Sequence, residues 1–221
     1  MDRRRAGTGY LAVPDAGSGP GVLVLHSWWG LTPFVHDLTE RLAAAGFVTL
    51  APELLVGDTP PNPADAEARL AEADADELAH LVRSSLATLQ DLPATSESPL
   101  GIVGLSMGAS LGLWLSARVP EAVAATVVFY GAQDIDFRPA RSAYLGHFAE
   151  TDAFVSDDDL ALLEAELRLN DLEVEFHRYP ATTHWFFEAD RPEHDAAAAD
   201  LAWERTVRFL HQRLDPSTTT P

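Results

Sequence analysis

Two amino acids that often carry chemistry are missing from this 221-residue chain, which contains neither cysteine nor lysine. The absence of cysteine excludes disulfides, thiolate nucleophiles and cysteine-ligated metal sites. The absence of lysine excludes a Schiff base on a lysine side chain. Apolar runs long enough to span a membrane are also absent, and glycines and prolines interrupt the apolar stretch after residues 1–5. We therefore expect a cytoplasmic protein with neither a signal peptide nor a transmembrane segment.

Positive charge is scarce as well, since 15 basic residues, all of them arginine, stand against 34 acidic residues and leave a net charge of −19. Nucleic acids and anionic membranes bind basic surfaces, so neither is an expected partner. A hydrophobic fraction of 47% is ordinary for a globular protein with a substantial core. We expect one domain over residues 1–214, a flexible tail over 215–221, and a monomer or weak homodimer.

Strand-like and helix-like segments alternate along the chain. The predicted strands cover residues 21–25, 47–50, 100–103, 124–130, 142–149 and 172–179. The predicted helices cover residues 32–45, 64–92, 109–118, 156–170 and 192–214. This alternation predicts an α/β fold, a doubly wound and mainly parallel sheet with helices on both faces.

The motif Gly104-Leu105-Ser106-Met107-Gly108 lies between a predicted strand and a predicted helix. Gly-x-Ser-x-Gly in this context is typical of a nucleophile elbow, a sharp turn that lifts the serine hydroxyl above the edge of the sheet. Small residues are needed on both sides because strand and helix backbones pass close together there. We therefore expect Ser106 to be a nucleophile.

A serine nucleophile needs a base, and the base needs a carboxylate that orients it. Reacting groups gather at the carboxyl ends of parallel strands, so the partners should follow later strands. His184 lies just after the last predicted strand, and Asp152 lies just after the preceding one. Glu150 is a competing acid, but it stands closer to its strand. The order Ser106, Asp152, His184 is that of the α/β-hydrolases.

With these three residues in place, the chain resembles the dienelactone hydrolase family of α/β-hydrolases over nearly its whole length. The resemblance is carried by a set of short segments in a specific order: His26-Ser27-Trp28-Trp29-Gly30-Leu31, Gly46-Phe47-Val48, Ala51-Pro52-Glu53-Leu54, Gly104 to Gly108, Phe129-Tyr130-Gly131, Asp152-Ala153-Phe154-Val155, His184-Trp185-Phe186 and Trp203-Glu204-Arg205-Thr206. It implies an α/β-hydrolase fold without a large lid domain. It also implies an oxyanion hole formed by the backbone N–H groups of Met107 and Trp28.

The same resemblance places several side chains at the substrate pocket. The predicted substrate-binding residues are Ser27, Trp29, Tyr130, Trp185 and Phe186. Ordinary core packing is the alternative for these aromatic residues, because large rings dominate protein cores.

Three residues depart from the type members of the family. Ser106 stands where they have cysteine, and Ser27 stands where they have a glutamate linked to activation of that thiol. Glu188 stands where they have an arginine that holds the substrate carboxylate, so we expect it to repel an anionic lactone. Arg69 is the candidate replacement for the missing positive charge.

These observations predict a cofactor-free and metal-free serine hydrolase that cleaves carboxylic esters or lactones of small soluble substrates through an acyl-enzyme. A perhydrolase or carbon–carbon hydrolase on the same triad is an alternative, since these activities differ in pocket shape. A non-catalytic ligand-binding member of the fold is a further alternative, because a fold alone does not establish function.

Overall fold

The structure, a computed structural model, describes residues 2–6 and 9–215. The strands are β1 Asp2–Ala6, β2 Gly9–Val13, β3 Gly21–Leu25, β4 Val48–Ala51, β5 Leu100–Leu105, β6 Val123–Phe129, β7 Ala143–Ala149 and β8 Val174–Tyr179. The helices are α1 Pro33–Ala44, α2 Pro63–Glu72, α3 Ala75–Gln90, α4 Met107–Arg118, α5 Asp157–Leu169 and α6 Ala196–Leu214. All of the predicted tail except Asp215 lies outside the described residues.

One sheet contains all the strands of the described residues, in the order β1-β2-β4-β3-β5-β6-β7-β8. The six strands from β4 to β8 in this order are parallel, whereas β1 and β2 form an antiparallel pair at one edge. Parallel neighbours need a crossover, and helices supply it here. The prediction of a doubly wound, mainly parallel sheet is confirmed.

The two faces of the sheet are buried under different helices because side chains alternate along each strand. In β3, Val22 and Val24 pack in the cluster that contains residues of α1 and α6. Leu23 and Leu25 point to the other face and pack with residues of α3 and α4. A strand covered on both sides must be apolar throughout, which explains the uninterrupted apolar run at 21–25.

The predicted helix over residues 64–92 is wrong in one respect, since the structure has two helices there. The backbone of Ala73 leaves the helical region with ψ 135°, which ends α2. The side chain of Asp74 then accepts hydrogen bonds from the N–H groups of Asp76 and Glu77 and starts α3 as its N-cap. An aspartate can cap a helix as well as sit on its solvated face, and composition alone did not separate these roles.

Strands β1 and β2 were not predicted. Strand β2 is a short apolar run between Gly7 and Pro14. The strand β1, with the sequence DRRRA, has almost no apolar residues and pairs only with β2. Edge strands of this kind are exposed on one side and tolerate charge. Among the residues that the structure describes, no helix combines the length and the apolar composition needed to cross a membrane.

Candidate active site

Ser106 occupies a sharp turn between β5 and α4. Its backbone has φ 52° and ψ −113°, a conformation that costs an L-residue about 1–3 kcal/mol. The turn is held by hydrogen bonds from the Ser106 N–H to the carbonyl of Phe129 and from the Ala109 N–H to the carbonyl of Ser106, both 2.9 Å. The predicted strand–turn–helix geometry is therefore present, and the serine is partly exposed at the carboxyl edge of the sheet.

The two glycines of the motif are required by contact distances. A Cβ atom on Gly104 would lie 2.5 Å from the carbonyl oxygen of Gly108. A Cβ atom on Gly108 would lie 2.1 Å from the carbonyl oxygen of Leu25, at the end of the neighbouring strand. Both obstacles are backbone atoms that cannot rotate away, so only glycine fits.

We expect Gly108→Ala to destabilise the protein by about 3 kcal/mol or more, because the added methyl group must displace the backbone of β3. Gly112→Ala, one turn further along α4, is the matched control. A Cβ atom there meets the Ile102 side chain at 3.0 Å, and alanine favours helix, so its effect should stay within about 1 kcal/mol. Urea denaturation measures both values, and equal losses for the two variants would contradict this account.

A continuous chain of hydrogen bonds links Ser106, His184 and Asp152. The Ser106 Oγ lies 2.9 Å from His184 Nε2. On the other side of the ring, His184 Nδ1 lies 2.9 and 2.8 Å from the two carboxylate oxygens of Asp152. The side chains of His184 and Asp152 are only 4% and 6% exposed, so water competes little for these bonds. The three residues proposed from the sequence thus come together with the nucleophile–base–acid order.

Asp152 is held by its own loop. Its Oδ1 accepts hydrogen bonds from the N–H groups of Phe154 at 2.8 Å and Val155 at 3.1 Å. The competing acid, Glu150, points elsewhere and accepts a hydrogen bond from the N–H of Ala181 at 2.8 Å. Glu150 therefore braces the loop that carries His184, whereas Asp152 contacts the imidazole itself.

The two predicted oxyanion donors come from different segments of the chain. Met107 is the first residue of α4, where a backbone N–H has no partner within the helix. Trp28 lies in the loop between β3 and α1. Its carbonyl oxygen accepts a hydrogen bond from Arg69 Nη2 at 2.5 Å, and Arg69 Nη1 also donates to the carbonyl of Asp58 at 3.0 Å. Arg69 thus braces the loop of Trp28, and its proposed contact with substrate stays a prediction.

Aromatic rings pack around His184 and next to it. Trp28, Trp29 and Trp185 pack against one another with ring centroids 5.4–5.9 Å apart. Phe154 contacts His184 at 4.8 Å and is 52% exposed. Phe154 is not among the site residues predicted from the sequence, although it belongs to the segment Asp152-Ala153-Phe154-Val155 that carries the family resemblance. The ring cluster forms an apolar wall beside the candidate nucleophile.

Three of the residues predicted to bind substrate lie beneath this wall instead of on its surface. Ser27, Tyr130 and Phe186 are completely buried. Tyr130 packs against the His184 ring at a centroid distance of 4.8 Å, and Phe186 packs against Tyr130. Their predicted direct contact with substrate has to be corrected to a supporting role, because the core closes over them. Trp29 and Trp185 are nearly buried and keep a small exposed edge.

Glu188 is also buried, which corrects the expectation that it repels anionic substrates. Its two oxygens accept hydrogen bonds from Ser27 Oγ at 2.9 Å and from the Tyr130 hydroxyl at 3.0 Å. Burial raises the pKa of this carboxyl to about 8, against the opposing effect of the two hydrogen bonds. At neutral pH the side chain is therefore mostly uncharged. It joins three segments: the loop after β3, the end of β6 and the loop of His184.

Two further buried histidines form hydrogen bonds within the protein core. His26 donates from Nδ1 to the carbonyl of Ser27, accepts at Nε2 from the N–H of Leu54, and has its pKa lowered to about 4 by burial. His147 hydrogen-bonds Tyr179 at 2.8 Å, and burial lowers its pKa well below the usual value. Within residues 2–6 and 9–215, no group of three or more histidine or acidic side chains is arranged to hold a metal ion.

The sequence and the fold of this chain are both similar to those of known proteins. The model of the dienelactone hydrolase family matches residues 8–214. The chain is 32% identical to the protein usf of Aquifex pyrophilus, with 93% of each chain covered. It is 27% identical to carboxymethylenebutenolidase 1 of Cupriavidus pinatubonensis, covering 94% of this chain and 92% of the relative. Among solved structures, a dienelactone hydrolase-like promiscuous phosphotriesterase from metagenomic libraries superposes with a TM-score of 0.82 at 21% identity, with 96% of each chain covered.

Proposed function

The chain belongs to the dienelactone hydrolase family of α/β-hydrolases, and on that premise we propose that it is a serine hydrolase of small carboxylic esters or lactones. The family membership itself makes it a hydrolase. The single observation that carries the finer proposal is the hydrogen-bonded chain from Ser106 through His184 to Asp152, built on the strained turn.

The reaction begins when His184 Nε2 takes the proton of Ser106 and the serine oxygen attacks the ester carbonyl. Asp152 keeps the proton of the imidazole on Nδ1, so that Nε2 is free to accept. The N–H groups of Met107 and Trp28 stabilise the oxyanion of the tetrahedral intermediate. His184 then gives its proton to the departing alcohol oxygen, leaving the acyl group on Ser106.

Water completes the cycle in the second half-reaction. His184 takes a proton from water, whose oxygen attacks the acyl carbonyl, and collapse of the second intermediate returns the proton to Ser106 and releases the acid. Each proton lost by one group is received by another, so the reaction needs only water as co-substrate.

A fluorophosphonate probe tests the proposed nucleophile directly. The hydroxyl of an activated serine attacks the phosphorus, fluoride leaves, and the enzyme gains a stable phosphonate ester. We expect modification at Ser106, identified by mass spectrometry of the peptide that contains it. His184→Ala should slow labelling by about 100-fold or more, because general-base catalysis contributes at least that much.

Two results would overturn the proposal. One is a folded protein that stays unlabelled, which would indicate a ligand-binding member of the fold without catalytic function. The other is labelling at the same rate in wild type and His184→Ala, which would show that the imidazole does not activate the serine.

A further inference from the structure

We infer that a cavity between the loop after β6 and helix α5 receives the acyl group of the substrate, with Phe154 as the boundary that limits its size. This inference rests on the proposed serine hydrolase function and adds a substrate class to it: esters of apolar acids that carry no negative charge.

The cavity has a volume of about 260 Å³, and its lining combines apolar side chains with acidic and amide groups. The loop after β6 contributes Ile135 and Phe137, and the middle of α5 contributes Leu162 and Leu163. Leu162 is 48% exposed at the rim although it is a large apolar side chain. A partly open cavity of this size, with several apolar side chains and an exposed leucine, suits a short aliphatic or aromatic group.

The wall of the cavity begins close to the candidate nucleophile. Gly131 packs on the turn so closely that a Cβ atom there would lie 2.8 Å from the carbonyl oxygen of Ser106. The next residue, Ala132, lines the cavity, and its carbonyl accepts a hydrogen bond from Ser110 Oγ at 2.9 Å. Ser110 lies in the first turn of α4, the helix that follows Ser106. The cavity therefore adjoins the turn that carries the candidate nucleophile.

A second recess, of about 210 Å³, lies beside His184 and is lined by His184, Trp185 and Phe154 among others. The imidazole must protonate the departing alcohol, so the alcohol has to leave past His184. This assigns the recess to the alcohol and leaves the larger cavity for the acyl group. Phe154 lines both spaces.

Charge around the larger cavity sets the chemistry of the acyl group. Asp134, Asp159 and Glu166 contribute three carboxyl groups to its lining, and Asp159 also closes the capping box at the start of α5. None of the described residues that line it is basic. A carboxylate on the acyl group would meet like charge, whereas an uncharged or ammonium-bearing group would not.

Kinetics on p-nitrophenyl esters test the assignment. We expect kcat/KM to rise by about tenfold from acetate to hexanoate, since each buried methylene contributes up to about fourfold. Leu162→Trp, which fills the entrance, should bring this ratio close to one. Leu169→Trp is the matched control, because Leu169 lies on the same helix, is 78% exposed and does not line the cavity, so the ratio should stay at the wild-type value.

Charge is tested with esters of equal length. The monoester of adipic acid should react about tenfold more slowly than the hexanoate, and the 6-aminohexanoate should not. The double variant Asp134→Asn and Glu166→Gln should narrow the gap between adipate and hexanoate. Equal rates for the two esters, or an unchanged hexanoate-to-acetate ratio in Leu162→Trp, would overturn the acyl-site assignment while leaving the serine mechanism intact.

Ligand binding tests the cavity independently of catalysis, and therefore also if the protein hydrolyses no ester. In NMR spectra of the wild-type protein, n-hexylamine should shift the amide signals of residues 132–135 and 162–163, and hexanoate should shift them much less. Leu162→Trp should remove the response to the amine. Shifts elsewhere in the protein, or equal shifts from both ligands, would show that the cavity does not select these groups.

Discussion

Replacement of Ser106 by alanine should lower kcat for p-nitrophenyl acetate by a factor on the order of 10⁴ or more, because no other group in the site supplies the attacking oxygen. The change removes one oxygen atom and one hydrogen bond to His184. Alanine must adopt the same strained backbone as serine, so the free energy of unfolding should change by only about 1 kcal/mol.

Ser84→Ala is the control for this loss. Ser84 lies exposed on α3 and bonds only the carbonyl of Leu81 in its own helix, so its removal should leave kcat within about twofold. If Ser106→Ala retained wild-type turnover, the acyl-enzyme mechanism would be wrong and hydrolysis would have to proceed through water alone.

The second large effect concerns stability and pH, through the buried carboxyl of Glu188. Its pKa is about 8 in the folded protein, against about 4.5 in a solvated chain. Between these values the folded state holds a proton that the unfolded state has lost, so stability falls as pH rises. The stabilisation that arises from the raised pKa of Glu188 is fully present below about pH 4.5 and is lost as the pH rises through 8. Glu188→Gln keeps a neutral side chain at every pH and should not show this loss.

The measurable quantity is the difference in free energy of unfolding between wild type and Glu188→Gln. We expect it to shift by about 4 kcal/mol between pH 5 and pH 9, in favour of the glutamine variant at alkaline pH. His26 and His147, whose pKa values burial lowers, affect both proteins alike and cancel in the comparison. Parallel curves for the two proteins would show that Glu188 is ionised in the folded state at neutral pH.

The sequence predicted the central part of the fold and of the site because both depend on local signals. Apolar runs marked the buried parallel strands, and the position of Asp152 and His184 after two of them identified the partners of Ser106. The glycines at 104 and 108 needed no tertiary information, since the turn itself demands them.

Features that depend on tertiary burial were not predicted. Glu188 looks like a surface charge in the sequence, and only the three-dimensional structure shows it enclosed with Ser27 and Tyr130. The same applies to the break between α2 and α3, where Asp74 had two possible roles. For Glu188 the deciding neighbours are distant in the chain. For Asp74 they are the nearby N–H groups of Asp76 and Glu77, but an aspartate within an acidic, helix-like stretch is equally compatible with a solvated face.

The loop that carries Asp152 has a consequence for how new substrate ranges can evolve on this chain. The carboxylate is anchored by the backbone N–H groups of Phe154 and Val155, and both residues line the cavity proposed for the acyl group. Backbone anchoring is indifferent to side-chain identity. A substitution at either position therefore leaves these two backbone hydrogen bonds to the acid in place, whereas an insertion or deletion in the loop would displace the acid. Divergence of specificity within this lineage should accumulate here as point changes at constant loop length.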